Sequence, residues 1–417
     1  MAPMRAAALL IVGAGLLAAG CYEAHAGGPR RDGGSVGRDG GAPSGRDAGP
    51  VIRRDAGSGP DAGRDCEGVE WIDEAPALRP FDTVRGPSVV GTDGFHVAYW
   101  HVSFEVCDGP CPVVVSMSAT GPQPPALEVS PMYWADWADT RRVEAHVDPD
   151  GQLWFAAIGD ARVAWARPPT PGWMAEGEAA FDRPVGDLAF TERGFVWVQT
   201  HEATPMGELT RIRLSVFAPF GELVDEIEGD MLTTGFEFRR PRLADAPGEP
   251  WIGFTQDVDF PPTVQLARPF AGPEPWFGSS CGVDSFDLAA AGPERVWVVQ
   301  RCGPIVLVEA RDGRGGTDRF ELSEGHHPEG APAIAAYGEG WVIAYWHRDG
   351  AVRVAYVDPE RGVQPAAVPG SDLGPGETPG ALSVASDGEV MAVAWSRTQP
   401  SGIDPSVGAV QRFRPCR

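Results

Sequence analysis

"DGQLWFAAIG", residues 150–159, sets an Asp-Gly turn before a run of bulky apolar residues, with a tryptophan three places after the glycine. The phrase returns along the chain as "DGFHVAYW" (93–100), "RGFVWVQT" (193–200), "GEPWIGFT" (248–255), "ERVWVVQR" (294–301), "EGWVIAYW" (339–346) and "DGEVMAVAW" (387–395). Aligned on the turn, the equivalent positions are Val97, Trp154, Trp197, Trp251, Trp297, Ile343 and Met391, spaced 43 to 57 residues apart. Tandem units of roughly 40 to 50 residues with strand–turn–strand content are the pattern of β-propeller blades. Seven of them fill the chain from about residue 70 to its end.

Each unit carries more than one strand. Before the turn lies a short segment of small residues, as in "APAIAAYG" (331–338) and "GALSVASD" (380–387); after it come the apolar strand and another, as in "AVRVAYVD" (351–358). Looser outer strands follow, as in "ELVDEI" (222–227). Four strands per unit predict an all-β, seven-bladed β-propeller over residues 66–417. Strands beside the axis have little room, which suits Ala, Ser and Gly. Sheets packed face to face leave a wedge between blades, and Trp154, Trp197, Trp251 and Trp297 are expected to fill it as core. The phrase "DPDGQLWF" (148–155) also resembles units of bacterial propellers of the virginiamycin-lyase and sialidase types. The resemblance implies the fold and neither activity.

Composition removes several chemistries. All 34 basic residues are Arg, and the chain has no Lys and no Asn. A Schiff-base lysine, a phosphate-loop lysine and an N-glycosylation sequon are therefore excluded. Asp-Gly stands where Asn-Gly usually makes turns, at 93–94, 150–151, 349–350 and 387–388. A formal net charge of −24 repels phosphate backbones, so nucleic acid is not expected as a partner.

The first residues read as an export signal. Arg5 precedes an apolar run from Ala6 to Ala19, long enough for a signal-peptide core and short for a membrane span. It ends "LLAAGC" (16–21), which resembles a bacterial lipobox, although Ala18 stands where the usual Leu would be. The resemblance implies a signal peptide over 1–20, lipidation at Cys21 and a membrane-anchored protein. "AHA" (24–26) offers a rival cleavage site and a freely secreted product. Tyr22, rather than Asp, after the cysteine favours the outer membrane, with the protein facing the periplasm or the cell surface. Residues 21–65 are a Gly-, Arg- and Asp-rich tether with little to bury, expected to be disordered. "GGSVG" (33–37) fits the G-x-S-x-G nucleophile pattern, but a linker supplies no strand-to-helix elbow, so it is rejected.

Six further cysteines in an exported chain suggest disulfides. The blade arrangement selects one of fifteen pairings. Cys281 and Cys302 flank a hairpin; Cys107 and Cys111 bracket a tight loop; Cys66 and Cys416 stand at the two ends of the ring. "GVEWID" (68–73) is expected to complete the last blade by pairing antiparallel with "VGAVQRF" (407–413).

In a propeller, the second-to-third-strand loops and the between-blade connections open on one face. The long connections fall mostly there, and the opposite face is expected to have mainly two- or three-residue turns. Binding residues concentrate on long loops. The candidate ligand-binding residues are Tyr133, Trp134, Trp137, Asp139, Arg142, His201, Arg240, Arg242, Arg301, His327 and His347. Aromatic rings beside carboxylates suit sugar or peptide recognition. No catalytic set is legible. "HH" (326–327) is read as solvated loop rather than metal ligand, because adjacent side chains on extended backbone point apart. No metal and no cofactor are expected. The sequence reads as a monomeric envelope lipoprotein whose propeller binds or scaffolds glycan or protein ligands. The rival reading is an envelope glycan hydrolase or lyase.

Overall fold

The computed structural model describes residues 68–73, 84–92, 94–101, 111–118, 128–131, 140–167, 175–203, 209–234, 242–256, 263–269, 272–274, 283, 285–312, 317–322, 325–338, 340–358, 362–399 and 406–416. Residues 1–67, on which the expected signal peptide, Cys21 and the expected tether fall, lie outside them.

Among the described residues, twenty-eight strands form seven four-stranded antiparallel sheets; six run from an inner to an outer strand in chain order, and the seventh takes its outer strand from the start of the domain. Strand β1 (Val69–Trp71) stands apart from its sequence neighbours. Blade 1 is β2 (Val84–Gly91), β3 (Gly94–His101), β4 (Cys111–Ser118) and β5 (Glu128–Pro131). Blade 2 is β6 (Arg142–Val147), β7 (Leu153–Ile158), β8 (Arg162–Ala166) and β9 (Gly177–Ala180). Blade 3 is β10 (Val185–Phe190), β11 (Val196–Ala203), β12 (Leu209–Phe217) and β13 (Leu223–Thr234). Blade 4 is β14 (Arg242–Ala244), β15 (Trp251–Gln256), β16 (Thr263–Arg268) and β17 (Gly272–Glu274). Blade 5 is β18 (Ser285–Ala290), β19 (Arg295–Cys302), β20 (Ile305–Asp312) and β21 (Thr317–Leu322). Blade 6 is β22 (Ala333–Tyr337), β23 (Gly340–Trp346), β24 (Val352–Asp358) and β25 (Gly362–Ala367). Blade 7 is β26 (Thr378–Ser386), β27 (Met391–Thr398) and β28 (Ser406–Pro415), with β1 as its outer strand.

The inner strands close a ring. β2 touches β6, β6 touches β10, and so on through β14, β18, β22 and β26 back to β2. This is a seven-bladed β-propeller. Closure comes from β1, which pairs antiparallel with β28: Val69 faces Pro415, Glu70 faces Arg414 and Trp71 faces Phe413. The propeller therefore joins its two ends within one sheet, as the reading of "GVEWID" expects.

The core is divided among the seven seams between blades, one apolar cluster to each. Trp154, Trp197, Trp251 and Trp297 are buried in these seams, each facing the following blade. Two features anchor the ring of Trp154. Its indole N–H donates to Asp148 at 2.8 Å, and it stacks on Phe190 at 5.0 Å between centroids. Val97, Ile343 and Met391 occupy the expected strands but face the preceding blade instead. The turns before them differ in length, and a one-residue change on a strand reverses the face.

Other details depart from the sequence reading. The turn in "DPDGQ" is wider than a two-residue hairpin. Asp148 accepts the N–H groups of Asp150 and Gln152, and Gly151 takes a positive φ of 80°. On the face expected to have two- or three-residue turns, the described connections 148–152 and 191–195 are longer. In blade 5 the described ladder between β18 and β19 runs as far as Ser285 facing Arg301. Cys302, at the end of β19 in blade 5, and Cys416, just after β28 in blade 7, each take part in a disulfide. Cys66, Cys107 and Cys281 lie outside the described residues, and Cys111 opens β4. The Cys416 N–H donates to the Gly68 carbonyl at 3.3 Å.

Candidate functional site

The ring encloses a channel of about 480 Å³ lined by all seven inner strands. Its two sides differ. Blades 6, 7 and 1 contribute mostly small residues, among them Ala333, Ala335, Ala381, Ser383, Gly86 and Ser88. Blades 2 to 5 contribute Arg142, Glu144, His146, Asp187, Arg242, Asp245 and Asp287. Among the lining residues there is no Trp, Tyr or Phe.

One layer of this wall has a structural task. At the same level of successive inner strands, a side chain accepts an N–H from the next inner strand. Ser383 Oγ takes Val89 N–H at 3.0 Å, and Ser88 Oγ takes Ala145 N–H at 3.1 Å. Asp187 Oδ2 takes Leu243 N–H at 2.8 Å, and Asp287 Oδ2 takes Ile334 N–H at 3.2 Å. Glu144 and Arg242 hold the same level in blades 2 and 4. A buried N–H left without an acceptor is costly, so these bonds stitch the ring at its narrowest radius.

The charged groups form one chain of contacts. Arg142 Nη2 donates to Asp187 Oδ1 at 2.6 Å and to the Gly186 carbonyl at 2.7 Å, and its Nε lies 3.0 Å from Glu144. His146 stands between two carboxylates, with Nδ1 at 3.0 Å from Asp245 and Nε2 at 3.5 Å from Glu144. Asp245 in turn accepts the Phe190 N–H at 2.8 Å. Burial opposes the imidazolium, but Asp245 and Glu144 outweigh it and raise the His146 pKa to about 10. Burial likewise opposes ionised Glu144, yet Arg142 and His146 hold it at about 2. For Asp187 and Asp287 burial wins over the neighbouring arginines and pushes both carboxyls upward. Arg242 differs from Arg142. Its guanidinium stands 3.6 Å from Asp287 and 3.9 Å from Asp187, in ion-pair contact but beyond hydrogen-bond reach, at the channel wall.

The structure brings together two of the residues singled out from sequence, Arg142 and Arg242. Tyr133, Trp134, Trp137, Asp139 and Arg240 lie outside the described residues. Arg301 is committed to backbone: its Nη1 donates to the carbonyls of His327 (3.4 Å), Gly330 (3.0 Å) and Pro328. His327 belongs to the connection that Arg301 clamps. His326 and His347 are bridged to one another across blade 6, with His347 Nδ1 at 2.8 Å from Asp349. His201 lies within β11 of blade 3, with its backbone N–H on the Pro184 carbonyl at 3.1 Å. Among the described residues, no group of three or more His, Cys, Asp or Glu is placed to hold a metal ion.

Glu144, His146, Asp187, Asp245 and Asp287 escaped the sequence reading, which sought sites on loops. A signal was present. "VGDLAF" (185–190) and "SFDLAA" (285–290) both set an aspartate inside a segment of small and apolar residues, and "RVEAHV" (142–147) carries three ionisable groups where the axis allows least room.

No family model matches the chain. No curated protein matches it. Among solved structures, it is similar to the β-propeller domain of the Trilobed protease from Pyrococcus furiosus, at 10% identity and a TM-score of 0.47, over 79% of this chain and 93% of that one. It is also similar to Hsv2 of Kluyvelomyces marxianus, at 10% identity and a TM-score of 0.45, over 79% and 98% of the two chains. The α-L-arabinofuranosidase Arb93A from Fusarium graminearum is similar at 11% identity and a TM-score of 0.43, over 65% and 92%. At such values the likenesses carry neither activity nor ligand to this chain.

Proposed function

We propose that this chain is an exported lipoprotein, anchored at the outer membrane through Cys21, whose propeller binds a neutral, hydroxyl-rich glycan unit in the central channel. The observation that carries the ligand class is Arg242, a guanidinium ion-paired but not hydrogen-bonded to the two carboxylates beside it, in the channel wall. Donor and acceptor side by side complement vicinal hydroxyls. The three cations and four carboxylates of the wall nearly balance, which favours a neutral ligand over an ion. The small residues of blades 6, 7 and 1 leave the space. Calorimetry against neutral oligosaccharides, selected on a glycan array, tests this. Arg242→Ala should weaken binding by about 1 to 3 kcal/mol in a folded ring. Undiminished affinity in that variant, or no glycan bound by the native protein, rejects the channel as the site. The anchor is tested separately. Cys21→Ser should leave an unprocessed or mislocalised precursor, and unchanged membrane fractionation would reject lipidation.

A specific observation also favours hydrolysis as a second reading: Glu144, Asp187, Asp287 and His146 meet in one channel. Acid–base work at neutral pH needs a group that titrates near 7. His146 at about 10 and Glu144 at about 2 are locked in their charged forms, which supports binding over turnover. Asp187 and Asp287, both raised, are the acids to test. Release of reducing sugar that is lost in Asp187→Asn or Asp287→Asn would establish the hydrolase.

A further inference from the structure

We infer that the free edge of blade 3, at β13, is a docking site for an extended basic peptide of another protein, which adds there as a fifth strand. Among the described residues the exposed large apolar side chains are Phe220 (73%), Leu223 (55%) and Val224 (55%), and all three fall within five consecutive positions. Leu223 and Val224 open β13, the outermost strand of its sheet, beyond which no further strand pairs among the described residues; within it the Glu226 N–H donates to the Asp225 carboxylate at 2.8 Å. Around them stand the exposed carboxylates of Glu178, Glu222, Asp225 and Glu226. The nearby cation, Arg183, is engaged with Glu226 at 3.1 Å and Asp182 at 3.5 Å.

Carboxylates alone would be an ordinary guard on a sheet edge; a cluster of apolar side chains there is not, since it invites strand addition. The edge is also held in place. The Trp165 indole N–H of blade 2 donates to the Pro219 carbonyl at 2.6 Å, and the Ala218 N–H bonds the Glu222 carbonyl at 2.8 Å. Gly221, at a φ of 89°, presses on the backbone of Glu178, where a Cβ would come within 3.3 Å. Phe220 therefore projects from a braced turn rather than a loose one, so little ordering is required on binding. Strand addition draws affinity from main-chain hydrogen bonds and specificity from side chains along the edge. The edge reads Leu223-Val224-Asp225-Glu226, two apolar residues then two acids. Cross-strand complementarity asks for two apolar residues beside two arginines or lysines.

A fluorescein-labelled Arg-Arg-Val-Val-Arg-Arg peptide meets that pattern in either strand direction and serves as the probe. Anisotropy titration of the full chain should show saturable binding. Backbone N-methylation of the two valines should abolish it. Val224→Asp should weaken it at least tenfold although it adds a carboxylate, and Phe220→Ser should weaken it in the same direction, with circular dichroism confirming that each variant is folded. If Val224→Asp or the N-methylated peptide binds as tightly as the originals, the interaction is plain attraction to an acidic protein and the inference fails. It fails equally if no binding is seen. A dimer in sedimentation that Val224→Asp dissolves would assign the edge to a second copy and overturn the peptide reading. Phe220-dependent binding to phosphatidylcholine vesicles would assign it to lipid and also overturn it.

Discussion

At the scale of single residues, His146 shows how the channel is held. It is an imidazolium between Glu144 and Asp245, and its raised pKa has a definite sign. The folded value lies above the ordinary 6.5, so the stabilisation is complete below pH 6.5 and is lost as pH rises through about 10. Glu144 works the other way: its contribution is complete above pH 4.5 and is lost as pH falls through about 2. His146→Gln should therefore cost about 3 kcal/mol near pH 6, since it strands a buried carboxylate. Thermal melts across pH should show the gap between native and variant narrowing steadily toward pH 10. A gap that is constant over that range would mean His146 packs without bearing charge. None of this pairing was legible in the sequence. His146 and Asp245 stand 99 positions apart with no mark of their meeting in the sequence, because it depends on two blades placing inner strands around one axis.

Turns and strands show where periodicity succeeds and where it stops. Alternation and the repeated tryptophan place every aligned residue on a second strand, but the facing of Val97, Ile343 and Met391 depends on turn length, which the apolar pattern does not encode. The turn between β10 and β11 illustrates the precision required. Arg193 and Gly194 both take positive φ, and a Cβ on Gly194 would lie 2.3 Å from the Trp154 ring of the preceding blade. Gly151 also has positive φ but open space around its missing side chain. Gly151→Ala should thus cost only the backbone strain, about 1 to 2 kcal/mol. Gly194→Ala carries the same strain plus a displaced indole, and should cost about 2 kcal/mol more, within the range for disturbed core packing. Urea denaturation of the two variants separates the terms. Equal losses would show that Trp154 yields at no cost.

For the whole molecule the question is what keeps the ring shut, since a three-residue strand does the closing. The seam is reinforced by side chains. Arg412, 1% exposed, holds Asp73 through Nη2 at 2.6 Å and Nε at 3.1 Å, and Asp73 also accepts the Arg412 N–H at 2.8 Å. Gln411 donates to the Asp73 carbonyl at 3.1 Å, and the Tyr356 hydroxyl to that of Gly68 at 3.0 Å. The pairing of the chain ends was foreseeable from two strand-like segments near the termini; the Asp73–Arg412 lock was not, because arginine on an apolar strand reads as solvent-facing. We expect a Cys66–Cys416 bond outside it, worth up to roughly 5 kcal/mol in a loop-entropy model. Mass mapping of non-reduced peptides checks that pairing. Removing the carboxylate is the sharper test. Asp73→Ala leaves a buried guanidinium without its counter-charge, which costs about 3 to 5 kcal/mol. The loss should be local first, because β1 and the outer edge of β28 have few other ties. Hydrogen exchange in the variant should accelerate in β1 and β28 while β10 to β13, in blade 3, keep native protection. If exchange rises evenly around the ring, closure is not the weak point, and the blades stand or fall together.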